Sequence, residues 1–127
     1  MKKIIIAIDS FKGCLTSAEA GKAAEKGIKS INPSCHTSVI PIADGGEGLL
    51  DVLIPAPKRK YITLSAHGPL MKMAKTHYGL SGNGRTAIIE MAAISGLPLV
   101  PIEQRNPMLT TTFGTGELIK DALNKGC

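Results

Sequence analysis

Two strand-like apolar runs, separated by a capped amphipathic helix, constrain the fold of this chain most strongly. The run at residues 4–8 (Ile-Ile-Ile-Ala-Ile) predicts a strand over residues 3–8 buried on both faces, and residues 37–42 predict a second strand. Between them, Thr16 and Glu19 have the spacing of a capping box, and a stripe of alanine and isoleucine follows. A strand, helix, strand order with these lengths is typical of a parallel pair joined by a right-handed crossover.

The second half of the sequence has a different pattern. Residues 61–65, 72–80 and 86–91 predict strands, and the segment Ser-Gly-Asn-Gly at residues 81–84 predicts a hairpin between the last two. A final helix follows the threonine- and glycine-rich residues 110–116. We therefore predict an α/β chain in two parts, residues 1–57 forming a parallel unit and residues 58–127 a hairpin-rich α/β unit.

Composition excludes several classes of protein. With 43% hydrophobic and 20% charged residues, the 127-residue chain is expected to fold into one or two globular units. The net charge of +5 is read as solvated lysines, because a 3% aromatic share leaves no platform for stacking bases, so no nucleic-acid partner is expected. Three cysteines without paired spacing indicate a reducing cytoplasm, and no apolar run is long enough to span a membrane.

A short polar loop follows each strand of the predicted parallel unit. The first loop, residues 9–13, carries the carboxylate of Asp9, the hydroxyl of Ser10 and the ammonium group of Lys12. Because loops that follow parallel strands open at the same edge of a sheet, we expect this loop to face the second one. The alternative is that both residues have structural roles alone, with Asp9 capping a turn and Lys12 exposed to solvent.

The second loop, residues 43–48 (Ala-Asp-Gly-Gly-Glu-Gly), combines two carboxylates with glycines whose N–H groups can approach an anion closely. Its candidate residues are Asp44, Gly45, Gly46 and Glu47. A tight strand-to-helix turn with two solvated acids is the alternative reading. Together the two loops hold the groups needed to bind phosphate.

A third candidate anion site lies at the start of the last predicted helix, where Thr115 and Gly116 follow a run of threonines. Glu90, at the end of a predicted strand, either faces a cleft or has a salt partner. The histidines have no ligand spacing and are read as non-catalytic; they are His36, His67 and His77.

Four segments resemble the bacterial glycerate kinase family. They are DSFKG at residues 9–13, ADGGEG at 43–48, EMAAISGL at 90–97 and TTTFGTGELI at 110–119. The resemblance covers residues 2–126 but only the amino-terminal portion of the family's length, so the chain looks truncated. It implies a partial Rossmann-like or flavodoxin-like parallel unit, followed by the start of a second, inserted α/β domain.

The resemblance also implies an activity: transfer of the γ-phosphoryl group of ATP to a hydroxyl of glycerate, with Mg²⁺. It implies catalytic roles for Asp9, Lys12 and Asp44. The residues it places beside substrate or phosphate are Ser10, Gly45, Gly46 and Glu47, with Thr115 and Gly116 added as the third site. Asp44 or Glu47 is the candidate magnesium ligand, and which acid acts as base stays open.

Three readings remain open at this point. The chain is either an amino-terminal part of a glycerate kinase, inactive alone, or a non-catalytic fragment that pairs its exposed sheet edges with a second copy. A small phosphate- or nucleotide-binding module is the weaker third reading.

Overall fold

The computed structural model describes residues 3–54 and 60–127, which divide into two compact units, Met1–Val52 and Leu53–Cys127. The predicted border between residues 57 and 58 lies outside the described residues. In the described part of the chain, no helix has the length and apolar character needed to cross a membrane.

The first unit is the predicted parallel crossover. Strand β1 (Lys3–Ile6) pairs in parallel with β2 (His36–Val39), from Lys3 opposite His36 to Ile6 opposite Val39. Helix α1 (Ser17–Ile31) connects the strands and packs on both of them, and a short helix, α2 (Leu49–Leu53), follows β2. This unit therefore has the strand order that places both polar loops at one edge.

Helix α1 begins as its sequence predicts. The hydroxyl of Thr16 accepts a hydrogen bond from the Glu19 N–H at 3.2 Å, and the Glu19 carboxylate accepts one from the Thr16 N–H at 2.9 Å. The hydrogen bond from the Thr16 N–H, and a second from the Thr16 hydroxyl to the same carboxylate at 2.8 Å, hold the pKa of Glu19 below its usual value. The helix then approaches β2 so closely that a Cβ built on Gly21 would lie 2.4 Å from Val39 Cγ1.

The expectation that β1 is buried on both faces is wrong. Ile6 is buried, but Ile5 keeps 61% of its surface exposed and Ile4 keeps 37%. Successive residues of a strand point to opposite faces, and α1 is the long helix that packs on this two-stranded sheet. A parallel strand is buried on both faces only where helices cover both.

The second unit is an antiparallel sheet backed by helices. Strands β3 (Lys60–His67), β4 (Met73–Leu80) and β5 (Ala87–Ile88) pair in that order. Helix α3 (Ala92–Ser95) and helix α4 (Phe113–Asn124) pack on the sheet, with 3₁₀ turns at Leu97–Leu99 and Ile102–Gln104 between them.

The core of the second unit lies between the sheet and α4. Its buried residues are Ala66, Tyr78, Leu80, Ile94, Leu118 and Ala122. The predicted hairpin forms, with Gly84 at φ +70° in its turn and the Ser81 N–H bonded to the Thr86 carbonyl at 2.9 Å. The strand predicted over residues 86–91 is shorter than expected, because after Ile88 the chain turns into α3, where the Ala93 N–H bonds the Glu90 carbonyl.

Candidate functional site

Both polar loops leave the same edge of the parallel sheet. The pairing of β1 with β2 ends with the Ile40 N–H bonded to the Ile6 carbonyl at 2.8 Å, so the chain segments after both strands start side by side. The first loop begins at Asp9 and the second at Ala43, each within four residues of that last bond. This is the arrangement that the strand order predicts.

One hydroxyl links the two backbone segments that lead from the strands into the loops. The Ser17 hydroxyl donates to the Ile8 carbonyl at 2.6 Å and accepts from the Ile42 N–H at 3.0 Å. Ile8 directly precedes Asp9, and Ile42 lies two residues before Asp44. Sequence reasoning missed this residue, since no motif marks a bond between positions 25 residues apart.

The first loop is a closed turn. The backbone of Phe11 and Leu15 exchanges two hydrogen bonds, at 2.8 and 3.0 Å, and Gly13 adopts φ +70° between them. Lys12 lies exposed in this turn. Asp9 is half-buried, and its carboxylate accepts the Ser10 N–H at 2.7 Å. The closed turn thus fixes the position of the Lys12 backbone, from which the side chain extends.

The second loop is shaped by its glycines. Gly45 adopts φ +103° and Gly48 φ +86°, conformations that side-chain-bearing residues rarely adopt. The Asp44 carboxylate accepts the Gly46 N–H at 3.0 Å, and both Asp44 and Glu47 are exposed. Glycine is therefore required at position 45 for backbone geometry, as the tight-turn reading expects. Two exposed carboxylates remain at the same turn.

Thr115 and Gly116 belong to the second unit, in the first turns of α4. The Thr115 hydroxyl shares a hydrogen bond with the Ser95 hydroxyl at 2.8 Å. The N–H groups of Thr115 and Gly116 both bond the Thr112 carbonyl, at 3.0 and 3.4 Å. The donors predicted to meet an anion there are thus engaged within the chain, and the role of these residues stays a prediction.

A second feature that the sequence did not indicate is the contact between His67 and Glu117. One Glu117 carboxylate oxygen accepts the His67 N–H at 2.7 Å, and the other lies 2.9 Å from the His67 Nδ1. The His67 ring also packs edge to face on Phe113, with the ring centres 5.5 Å apart. The backbone hydrogen bond from His67 holds the pKa of Glu117 below its usual value.

Tyr78 and Asp121 connect the core of the second unit to α4. The Tyr78 side chain is fully buried, and its hydroxyl donates to the Asp121 carboxylate at 2.9 Å. Burial, with the help of this acceptor, raises the pKa of Tyr78 to about 12. The Lys125 ammonium group, 2.6 Å from Asp121, and the tyrosine hydroxyl together hold the pKa of Asp121 below its usual value. Asp121 thus packs as an ionised residue.

Among residues 3–54 and 60–127, no three candidate ligands of the His, Cys, Asp or Glu type are grouped as a metal site. A magnesium ion that is bound with a nucleotide takes one or two protein carboxylates, with phosphate and water as its other ligands. Asp44 and Glu47 can supply that number of ligands from one exposed turn.

Known proteins resemble this chain along almost all of its length. The sequence model described as the glycerate kinase family matches residues 4–127. The chain belongs to the glycerate kinase family. The matched range includes both polar loops, α4 and the residues of the His67–Glu117 contact.

Individual relatives give the same result. Glycerate kinase from Bacillus subtilis is 51% identical over 124 residues, and glycerate 2-kinase from Escherichia coli is 47% identical; each alignment covers 98% of this chain and 32% of the relative. A crystal structure from Salmonella typhimurium LT2, of a protein assigned as glycerate kinase 2, matches with a TM-score of 0.69 and 45% identity. It covers 98% of this chain and 33% of the solved one. The chain thus spans about a third of the length of these glycerate kinases.

Proposed function

We propose that this chain supplies the phosphate-handling loops of an ATP-dependent glycerate kinase, which transfers the γ-phosphoryl group of ATP to a hydroxyl of glycerate. Family membership supports the reaction. The observation that carries the proposal is the common edge of the two polar loops, whose roots share the Ser17 hydroxyl. Phosphoryl transfer depends mainly on positioning and on groups that stabilise spreading negative charge, and these loops offer both.

Three side chains take the catalytic roles in this proposal. Lys12, held in its closed turn, offsets negative charge on the phosphoryl oxygens. Asp9 and Asp44 face the reacting groups from the first and second loop, and one of them orients the attacking glycerate hydroxyl and accepts its proton. The half-buried position of Asp9 and the exposed position of Asp44 make the two carboxylates different in solvation.

Backbone and hydroxyl groups bind substrate and phosphate. In the second loop, Gly45 and Gly46 let the backbone approach phosphate oxygens without a Cβ in the way, while Ser10 contributes a hydroxyl from the first loop. Thr115 and Gly116, in the first turns of α4, are proposed as a separate phosphate contact of the second unit, considered by itself. Glu47 or Asp44 holds Mg²⁺, which neutralises charge on the phosphates when it is bound.

The activity is proposed for a protein that also contains the rest of the family's length. The curated relatives are about three times as long as the stretch they share with this chain. We expect the 127-residue chain alone to be inactive. We propose a cytoplasmic location, because the cysteines in the sequence lack the number and spacing typical of a disulfide framework; they are Cys14, Cys35 and Cys127.

The proposed reaction is tested with Asp44→Asn in the kinase that contains this chain, with ADP release and phosphoglycerate formation both measured. The matched control is Asp51→Asn, the same chemical change seven positions along, on α2. Loss of a catalytic carboxylate is expected to lower kcat by at least about 100-fold. The control is expected to keep its rate. An Asp44→Asn enzyme as fast as the control would remove Asp44 from the site.

Self-association is a second candidate function, favoured by one observation. The β1–β2 sheet leaves Ile4 and Ile5 exposed to an extent that a parallel sheet rarely tolerates. A second copy that packs on the uncovered face of this sheet would cover Ile5, and one that pairs with an open edge would satisfy the backbone groups there. Sedimentation velocity of the 127-residue chain separates the readings, because a folded monomer at high concentration contradicts self-association. If the monomeric chain binds ATP in calorimetry and the longer protein that contains it does not phosphorylate glycerate, the chain is instead a simple nucleotide-binding module.

A further inference from the structure

Ser17 occupies the first position of α1 but does not cap it. That task belongs to Thr16, whose hydroxyl accepts the Glu19 N–H at 3.2 Å. The Ser17 hydroxyl is therefore available for partners outside the helix. It bonds backbone groups of the segments that follow β1 and β2.

The two hydrogen bonds extend the pairing of the strands beyond its end. The last direct bond between the segments runs from the Ile40 N–H to the Ile6 carbonyl. Two residues further along each segment, the Ser17 hydroxyl donates to the Ile8 carbonyl at 2.6 Å and accepts from the Ile42 N–H at 3.0 Å. One oxygen atom thus bridges the segments where they would otherwise separate.

The bridge lies immediately before the functional groups. Asp9 is the next residue after Ile8, and Asp44 comes two residues after Ile42. A change in the separation of the two segments at the bridge is passed directly to both carboxylates, because few rotatable bonds intervene. Misplacement by about 1 Å is enough to lower a rate about 100-fold in well-positioned sites.

We propose that Ser17 is a positioning residue of the kinase site, which sets the separation of the two loops through its bridging hydroxyl and does not contact substrate. This inference rests on the proposed function, because that proposal assigns the catalytic roles to the residues of the two loops. The hydroxyl must both donate and accept, so threonine can replace serine and alanine cannot.

The bridge itself is tested by amide hydrogen exchange in the 127-residue chain. Ser17→Ala leaves the Ile42 N–H without its acceptor, and its exchange is expected to accelerate about tenfold. Ser17→Thr is expected to stay within about twofold of the unchanged chain. Ser30→Ala is the matched control, since it removes a hydroxyl from the same helix that donates to the Gly27 carbonyl. Equal exchange at Ile42 in Ser17→Ala and Ser30→Ala would overturn the proposal.

The positioning role is tested by kinetics in the kinase that contains this chain, at a temperature well below unfolding so that the folded fraction stays constant. We expect kcat/KM to fall about tenfold in Ser17→Ala and to be restored by Ser17→Thr, with Ser30→Ala unchanged. If Asp44→Asn abolishes activity while Ser17→Ala keeps full kcat/KM, the positioning role is wrong and the proposed function stands. If Asp44→Asn keeps full activity, Asp44 is removed from the site; if the unsubstituted protein forms no phosphoglycerate from ATP and glycerate, the proposed function fails, whatever the exchange result.

Discussion

Two glycines at the start of α4 provide a matched pair for testing how the second unit is packed. A Cβ built on Gly114 would lie 1.9 Å from the His67 carbonyl oxygen, whereas one built on Gly116 meets nothing within 4 Å. Real Cβ contacts are essentially never shorter than 3.0 Å, so α4 and β3 would have to separate by about 1.1 Å. Because the obstacle is backbone, no side-chain rotation relieves it.

The expected free energies of unfolding follow from this difference. Overpacking costs about 1–3 kcal/mol, and we place Gly114→Ala at the upper end, about 3 kcal/mol less stable. Gly116→Ala gains up to about 1 kcal/mol from helix propensity. At roughly 5 °C per kcal/mol for a small domain, the first variant melts about 15 °C lower and the second a few degrees higher.

Tyrosine fluorescence reports on this unit alone, since both tyrosines, Tyr61 and Tyr78, lie in it and the chain has no tryptophan. Thermal melts of the two glycine variants followed by this signal measure the difference. Equal melting temperatures for Gly114→Ala and Gly116→Ala would refute the close approach of α4 to the end of β3.

Two further predictions concern the pair formed by Tyr78 and Asp121. Burial raises the pKa of Tyr78 to about 12, against about 10 in the unfolded chain. The contribution of Tyr78 to the free energy of unfolding is therefore complete below pH 10, and it is lost by about 1.4 kcal/mol per pH unit as the pH rises towards 12. Absorbance titration checks this, and ionisation of both tyrosines near pH 10 in the folded chain would contradict it. Tyr78→Phe is expected to lose about 1.5–3 kcal/mol in urea unfolding at neutral pH, because the acceptor is a charged carboxylate. Since the pKa of Asp121 is lowered in the folded state, this loss should shrink as the pH falls below about 4, and a pH-independent loss would argue against an ionised acceptor.

Local signals in the sequence predicted the elements well. The spacing of Thr16 and Glu19 located the start of α1 because a capping box involves residues only three positions apart. The Asn83–Gly84 pair located the turn between β4 and β5, because a hairpin turn is also formed by residues that are close in sequence. Strand order followed from the length of the crossover, and with it the shared edge of the loops.

Contacts between distant residues were not predictable. The exposure of Ile5 depends on what covers the sheet, which an apolar run does not reveal. The bond from Glu117 to His67 joins positions 50 residues apart, and the Ser17 bridge joins residues that carry no chemical motif. Sequence patterns identify groups able to bind phosphate, whereas the atoms that hold those groups in place emerge only from the packed structure.

The central claim is that the two polar loops serve one phosphate site. It is tested most directly by titrating the isotope-labelled chain with inorganic phosphate and following the amide signals of Ser10, Gly45 and Gly46. The account predicts that signals from both loops shift along one binding curve with one dissociation constant, and that Lys12→Met weakens binding at both. Separate dissociation constants for the two loops, or a response confined to one of them, would contradict it.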